Sequence, residues 1–239
     1  MIVWVLVSAA LLGAVLTAVF GLAGGTVFFA IATWVVSAKE AVPLHSITQL
    51  MGNFIRLIAF WDSVRWRIVG YFSLLSLLGA YLGSLCFQYF NAQMLEVLVG
   101  IFVLISIFLP EKSTKSLSNG MVVLLGFASS FLGMIVAVTG PLLSAFFVMG
   151  GITKEQMIST KAVCQAITQL VKILMFASVI KFDFSKYGDL LLYLAIATLI
   201  GTLLGKKVVS KITERQFDIL NKAILGIVSV TMILKPLFE

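Results

Sequence analysis

The chain has little with which to run covalent or metal chemistry. It carries one histidine, His45, and two cysteines, Cys86 and Cys164, which sit in apolar runs without CxxC spacing. No zinc or redox arrangement follows from that set, and the cysteines read as small buried hydrophobes. The HExxH, GxSxG and GxxxxGKS/T patterns are absent, which argues against a zinc protease, a serine hydrolase and an ATPase. The expectation is a protein that is not an enzyme and needs no cofactor.

Charge is scarce too. Charged residues make up 11% of the 239 positions and hydrophobic ones 61%. A soluble domain has about 25% charged residues. The chain is therefore read as an all-α polytopic protein of the cell (cytoplasmic) membrane, its first partner the lipid bilayer. The net charge of +7 sits largely in short loops, where basic residues set orientation and meet anionic lipid, so nucleic acid is not the expected partner. The first 20 residues lack a basic n-region and run on through Gly21–Gly25 into further apolar sequence, so they read as a retained segment.

Eight long hydrophobic stretches follow one another, at about 2–36, 41–61, 67–90, 94–109, 120–150, 156–180, 187–208 and 217–236. One helical span needs about 20 residues. The first and fifth stretches exceed that and are interrupted, the first at Gly21, Gly24 and Gly25, the fifth at Gly133 and Thr139-Gly140-Pro141. The expected count is thus about 8–10 membrane segments.

Two halves resemble each other. Gly25, Lys39 and Glu40 match Gly140, Lys154 and Glu155 at an offset of 115. GAYLG (79–83) matches GTLLG (201–205), and the run from Gly100 to Pro110 matches Gly226 to Pro236. The chain divides into a first transmembrane repeat (1–110), a linker (111–119) and a second transmembrane repeat (120–239). Duplication of a membrane unit is a common construction of secondary transporters. If each broken stretch contributes two segments, one face collects Arg65, Arg67, Lys112, Lys115, Lys154, Lys206, Lys207, Lys211 and Arg215. The other collects only Lys39, Lys181, Lys186 and Lys235. That bias predicts an inverted repeat with the first set cytoplasmic and both termini outside. A re-entrant hairpin and a double crossing read alike at this level.

Within the apolar runs the polar residues are ordered. His45, Gln49, Asn53 and Arg56 repeat the spacing of Lys161, Gln165, Gln169 and Lys172, each 116 positions from its counterpart. At about 100° per residue each set forms one stripe roughly 80° wide. The charges on the stripes are positive or can become so, and no carboxylate lies among them. A charged side chain at mid-membrane costs at least about 2.5–3.5 kcal/mol, so Arg56, Lys161 and Lys172 either serve a cavity there or snorkel along their stems to the edge. The amides can donate to oxyanion oxygens or bond between helices. His45 is the proton-coupling candidate, since it titrates near neutrality without a large shift. The carboxylates, Glu96 among them, fall at edges and in loops, which weighs against a cation cargo.

The breaks add backbone donors. Thr139 and Pro141 are good N-cap and first-turn residues, so a helix is expected to start near Pro141 with its free N–H groups inside the membrane. Gly24, Gly25 and Thr26 occupy the matching place, where glycine lets backbone approach closely. The predicted binding set is thus Gly24, Gly25, Thr26, Gln49, Asn53, Arg56, Thr139, Gly140, Pro141, Lys161, Gln165, Gln169 and Lys172, around a small anionic substrate. A proton or sodium ion is the expected coupling partner.

Taken in order, GLAGG (21–25), the alanine-led run from Ala41 to Ser46, SVRW (63–66), GAYLG, TGP (139–141) and GTLLG resemble the sulfite exporter TauE/SafE family of membrane transporters. The resemblance covers nearly the whole chain. It implies secondary transport of a small anion such as sulfite, a sulfonate such as sulfoacetate, or a related oxyanion. Family members usually carry small hydroxyl residues where this chain has His45-Ser46 and Thr160-Lys161, and a lysine there suits a more highly charged anion. The alternative is a passive anion channel, which would use the same positive lining.

Overall fold

The computed structural model describes residues 1–20, 23–59, 61–108, 118–147, 154–209 and 214–238. The predicted linker 111–119 lies mostly outside them, as do Gly21, Lys112, Lys115 and Lys211. Among the described residues there are eleven α-helices and no strand. In order they are α1 (Ile2–Phe20), α2 (Ala23–Ala32), α3 (Ala38–Ala59), α4 (Trp66–Ser73), α5 (Ser76–Phe87), α6 (Ala92–Ser106), α7 (Asn119–Val136), α8 (Gly140–Phe147), α9 (Lys154–Ser178), α10 (Gly188–Val209) and α11 (Glu214–Leu234).

The bundle is apolar outside and carries a polar seam within its apolar core. Phe54, Ile58, Leu170 and Leu174 point outward on α3 and α9, while His45, Asn53, Gln169 and Lys172 on the same helices are buried. Water would select the reverse arrangement; a lipid surround selects this one. Two described segments are long and apolar enough to cross a membrane by composition, Asn119–Val136 and Phe184–Gly205. The pair α4 and α5, joined across a 42° bend, would make a third. The other expected spans fall short of that measure. Parts of α1, α2, α6 and α11 are apolar but short. Helices α3 and α9 are long, with 22 and 25 residues, about 33 and 37 Å at 1.5 Å per residue. They miss because they carry the stripes.

The eight-stretch reading needs one correction. The third stretch is broken as well, between Ser73 and Ser76. Ser73 Oγ donates to the Val69 carbonyl and Ser76 Oγ to the Phe72 carbonyl, both at 2.7 Å. Such back-bonding competes with the helical ladder and bends it. The Phe72 carbonyl also presses on Gly126 of α7, where a Cβ would come within 1.9 Å of it.

Contacts fix how the helices run. Trp4 of α1 stacks on Tyr193 of α10. Tyr187, just before α10, donates to Glu40 at the start of α3. Lys235, just after α11, meets Glu96 near the start of α6 and the Thr33 carbonyl at the end of α2. These termini share one end of the bundle, called here the N-terminal face. At the opposite face the Arg65 N–H before α4 donates to Thr160 Oγ1, early in α9, at 3.0 Å. So α1 leaves the N-terminal face and α2 returns to it, with Gly13 of α1 against Gly24 and Phe28 of α2. The second broken stretch also doubles back: α7 rises beside α5, and α8 descends until Ser144 reaches Lys161. Each break therefore makes a hairpin with a long arm and a short one. Trp4 and Trp34 stand exposed toward the N-terminal face, Trp61 and Trp66 toward the other, as interfacial tryptophans do.

Candidate functional site

Helices α3 and α9 cross the middle of the bundle antiparallel, and their stripes face each other. Antiparallel packing joins opposite ends of the two stripes. His45 lies at the level of Lys172, and Arg56 at the level of Lys161, each pair within electrostatic reach. The sequence pattern matched His45 to Lys161 and Arg56 to Lys172 as counterparts. Folding sets each against the other's counterpart, His45 against Lys172 and Arg56 against Lys161.

At the upper level, nearer the N-terminal face, Lys172 has no solvent exposure. Its ammonium donates to the Ala137 carbonyl at 3.2 Å. That carbonyl belongs to the turn between α7 and α8. Ala137 has φ 56° and ψ −47°, and the Val138 N–H reaches back to the Val136 carbonyl at 2.5 Å. This is a γ-turn of the rare hand, strained for any residue with a side chain. His45 is also buried, packed against Phe28 and Phe29. Neither ring nitrogen makes a hydrogen bond of good geometry among the described residues, and the Gly25 backbone lies within reach. A Cβ on Gly25 would come within 3.0 Å of the Gln49 amide and 3.1 Å of His45 Nε2.

At the lower level the cations have side-chain partners. Lys161 donates to Ser144 Oγ in a short contact, and Arg56 Nη1 donates to Asn53 Oδ1 at 2.8 Å. Arg56 and Gln49 share a cavity of about 10 Å³ with Thr17, Thr48, Thr198 and Thr202, room for one water molecule. Buried Thr17, Thr26 and Thr198 hydroxyls and the Gln169 carbonyl oxygen lack partners among the described residues.

The predicted set divides accordingly. Gly25, Gln49, Asn53, Arg56, Lys161 and Lys172 come together along the seam, with His45 among them; Gln169 is buried there and Gln165 half-buried. Thr139 and Pro141 are buried at the second break, where the Thr139 carbonyl accepts from the Leu143 N–H at 3.2 Å. Helix α8 starts at Gly140, within one residue of expectation. Thr26 lies in the first turn of α2. Gly24 sits elsewhere: a Cβ there would strike Gly13 O at 1.8 Å and Thr17 Oγ1 at 2.2 Å. It packs α2 on α1 and does not face the stripe. Ser144, the Ala137 carbonyl and Thr198 were missed. Only a three-dimensional contact marks them, because each is an ordinary residue in an apolar run.

A helical bundle with apolar flanks and a cationic polar seam inside defines a membrane protein built for transport. The chain matches the family described as Sulfite exporter TauE/SafE over residues 6–233, and it belongs to that family, whose members are membrane transporters and not enzymes. No curated protein and no solved structure matches it.

Proposed function

We propose that the protein is a secondary transporter that moves a small oxyanion or sulfonate, of the sulfite or sulfoacetate kind, across the cytoplasmic membrane along the α3–α9 seam. The observation that carries this reading is the seam's charge: His45, Lys172, Arg56 and Lys161 face one another with no carboxylate among them. Cations that meet without counterions inside a membrane protein call for an anion between them. Backbone at the two hairpins supplies further donors, near Gly25 and at the start of α8. His45, beside Lys172 and within reach of the Gly25 backbone, is the proton-coupling candidate.

The halves 1–110 and 120–239 are read as an inverted repeat around this seam. In support, Gly79 and Gly83 of α5 press on the Phe127 and Phe131 carbonyls of α7, and Gly201 and Gly205 of α10 press on the Leu11 and Val15 carbonyls of α1. The two contacted pairs are 116 positions apart, the offset of the stripes. The face holding Arg65 and Arg67 is then cytoplasmic. The cavity beside Arg56 has room for one water and not for an oxyanion, so passage needs the helices to move. That favours a carrier that alternates over a standing channel.

The test is uptake into proteoliposomes. Arg56→Ala and Lys172→Ala should each lower saturable uptake of sulfite or sulfoacetate strongly while the purified proteins stay folded. Normal kinetics in both would end the seam reading. Unsaturable conductance in the parent protein would favour the channel.

A further inference from the structure

Above the upper level of the seam, at the N-terminal face, the bundle holds a second and larger recess of about 550 Å³. Small-molecule sites run from about 300 to 1,000 Å³. Lys39, Lys181 and Lys186 line it, with Gln88, Ile180 and Phe87. Two carboxylates also reach it, and both are engaged. Glu40 accepts from Tyr187 Oη at 2.6 Å and from Ser37 Oγ at 2.8 Å. Asp183 accepts from the Ser185 N–H at 3.1 Å and lies 4.0 Å from Lys186. The recess keeps a positive balance.

Its floor is aromatic. Phe87 is buried and meets the buried Phe176 edge to face, ring centroids 5.2 Å apart. Phe176 follows Lys172 by four residues on α9, so it stands on the same helix face one turn nearer the recess, about 6 Å away. One aromatic layer therefore separates the basic recess from Lys172 and His45. That layer is tied to the recess wall. Lys181 adopts φ 60° at the end of α9, and the Phe182 N–H donates to the Phe176 carbonyl at 2.8 Å, a wide closure of the helix end with lysine in the left-handed conformation where glycine is usual. Movement of the 181–187 segment would pull on the residue that forms the floor.

We propose that this recess is a vestibule that collects the same small oxyanion at the outer face, and that the Phe87–Phe176 pair is the barrier between it and the seam. The proposal rests on the seam being the anion's route. Its test reads access instead of uptake, so that the two can fail separately. In a background lacking both cysteines (Cys86→Ala, Cys164→Ala), Gln88→Cys reports the recess and Gln169→Cys reports the seam. Each is treated from either side of the membrane with a sulfonate-bearing and with a trimethylammonium-bearing methanethiosulfonate.

Gln88→Cys should react faster with the anionic reagent, and Lys39→Gln, Lys181→Gln and Lys186→Gln together should erase that preference. Gln169→Cys should react slowly from the recess side. It should gain at least tenfold with Phe87→Ala or Phe176→Ala, from that side alone. Labelling of Gln88→Cys at the parent rate shows that a variant is folded. Where alanine fails that check, Phe87→Leu and Phe176→Leu replace it, with a smaller gain expected. No gain in the folded variants, an equal gain from both sides, or a preference for the cationic reagent at Gln88→Cys overturns the proposal. Loss of uptake in Lys172→Ala beside such a failure leaves the seam standing and removes the barrier. Preserved uptake in Lys172→Ala and Arg56→Ala beside a tenfold gain does the reverse.

Discussion

Among the described residues two lysines are buried, and they live under opposite conditions. Lys235 donates to both oxygens of Glu96, at 2.9 and 3.0 Å, and to the Thr33 carbonyl at 2.6 Å. The Trp34 ring lies 5.6 Å from its ammonium. Its charge is balanced, and the arrangement ties α2, α6 and α11 together. Lys172 donates to one carbonyl among the described residues, and a histidine lies within electrostatic reach of it. A charge fully matched inside the fold is a fastener. A charge left short of partners is held ready for something that is not part of the chain.

The largest expected effect comes from breaking the matched pair. Glu96→Ala would leave Lys235 charged, buried and without its carboxylate, which costs about 3–5 kcal/mol. Thermal unfolding in detergent should show a large loss. An anion ligand should still raise the melting temperature of whatever protein folds, because the seam is untouched.

The second prediction inverts the first. Lys172→Met removes a buried cation and keeps the volume, a change that is neutral to stabilising for the fold. The melting temperature should hold or rise. Anion affinity should fall by roughly 2–3 kcal/mol, the worth of a charged hydrogen bond, or about 30- to 150-fold. A melting temperature that drops as far as in Glu96→Ala would make Lys172 a fastener too and erase the distinction.

Lys161 should fall between the two, since Ser144 already occupies one of its donors. Lys161→Met is expected to weaken anion binding about tenfold by the same arithmetic. Titration calorimetry against sulfite would rank it beside Lys172→Met. A larger loss at Lys161 would move the main binding level to the opposite end of the seam.

The smallest effects sharpen the contrast at single-atom scale. Gly24→Ala pushes a methyl into the α1 backbone and should cost about 1–3 kcal/mol of stability, with ligand affinity unchanged in the folded fraction. Gly25→Ala meets only the Gln49 and His45 side chains, at 3.0 and 3.1 Å. It should leave stability nearly intact and lower affinity severalfold. Neighbouring glycines with exchanged outcomes would mean that the first hairpin is packed the other way round.

Much of this was legible in the sequence because it obeys a local period. The stripes show as i, i+4, i+8, i+11, and the breaks at the two hairpins show as glycine and proline. The bend between α4 and α5 did not show. Its serines are ordinary in sequence and act through carbonyls and through the approach of Gly126 from another helix. The level at which each cation meets its partner was also hidden, because a stripe does not say which way the facing stripe runs. Glu96 read as an edge residue, four places into α6. Its partner comes 139 positions later, and no periodicity spans that distance.

The paired glycines have a consequence for how the chain is made. GAYLG belongs to the first half and seats against α7 of the second; GTLLG belongs to the second half and seats against α1 of the first. Such close seating depends on small residues and gives little until both surfaces are present. As the ribosome delivers the chain, α5 waits in the bilayer for α7, and α1 waits for α10, whose Gly201 comes 190 positions after the Leu11 carbonyl it meets. Among the described residues these grooves are filled from the other half, so a nascent residue 1–110 segment should stay open to membrane chaperones or proteases until α7 and α10 are made.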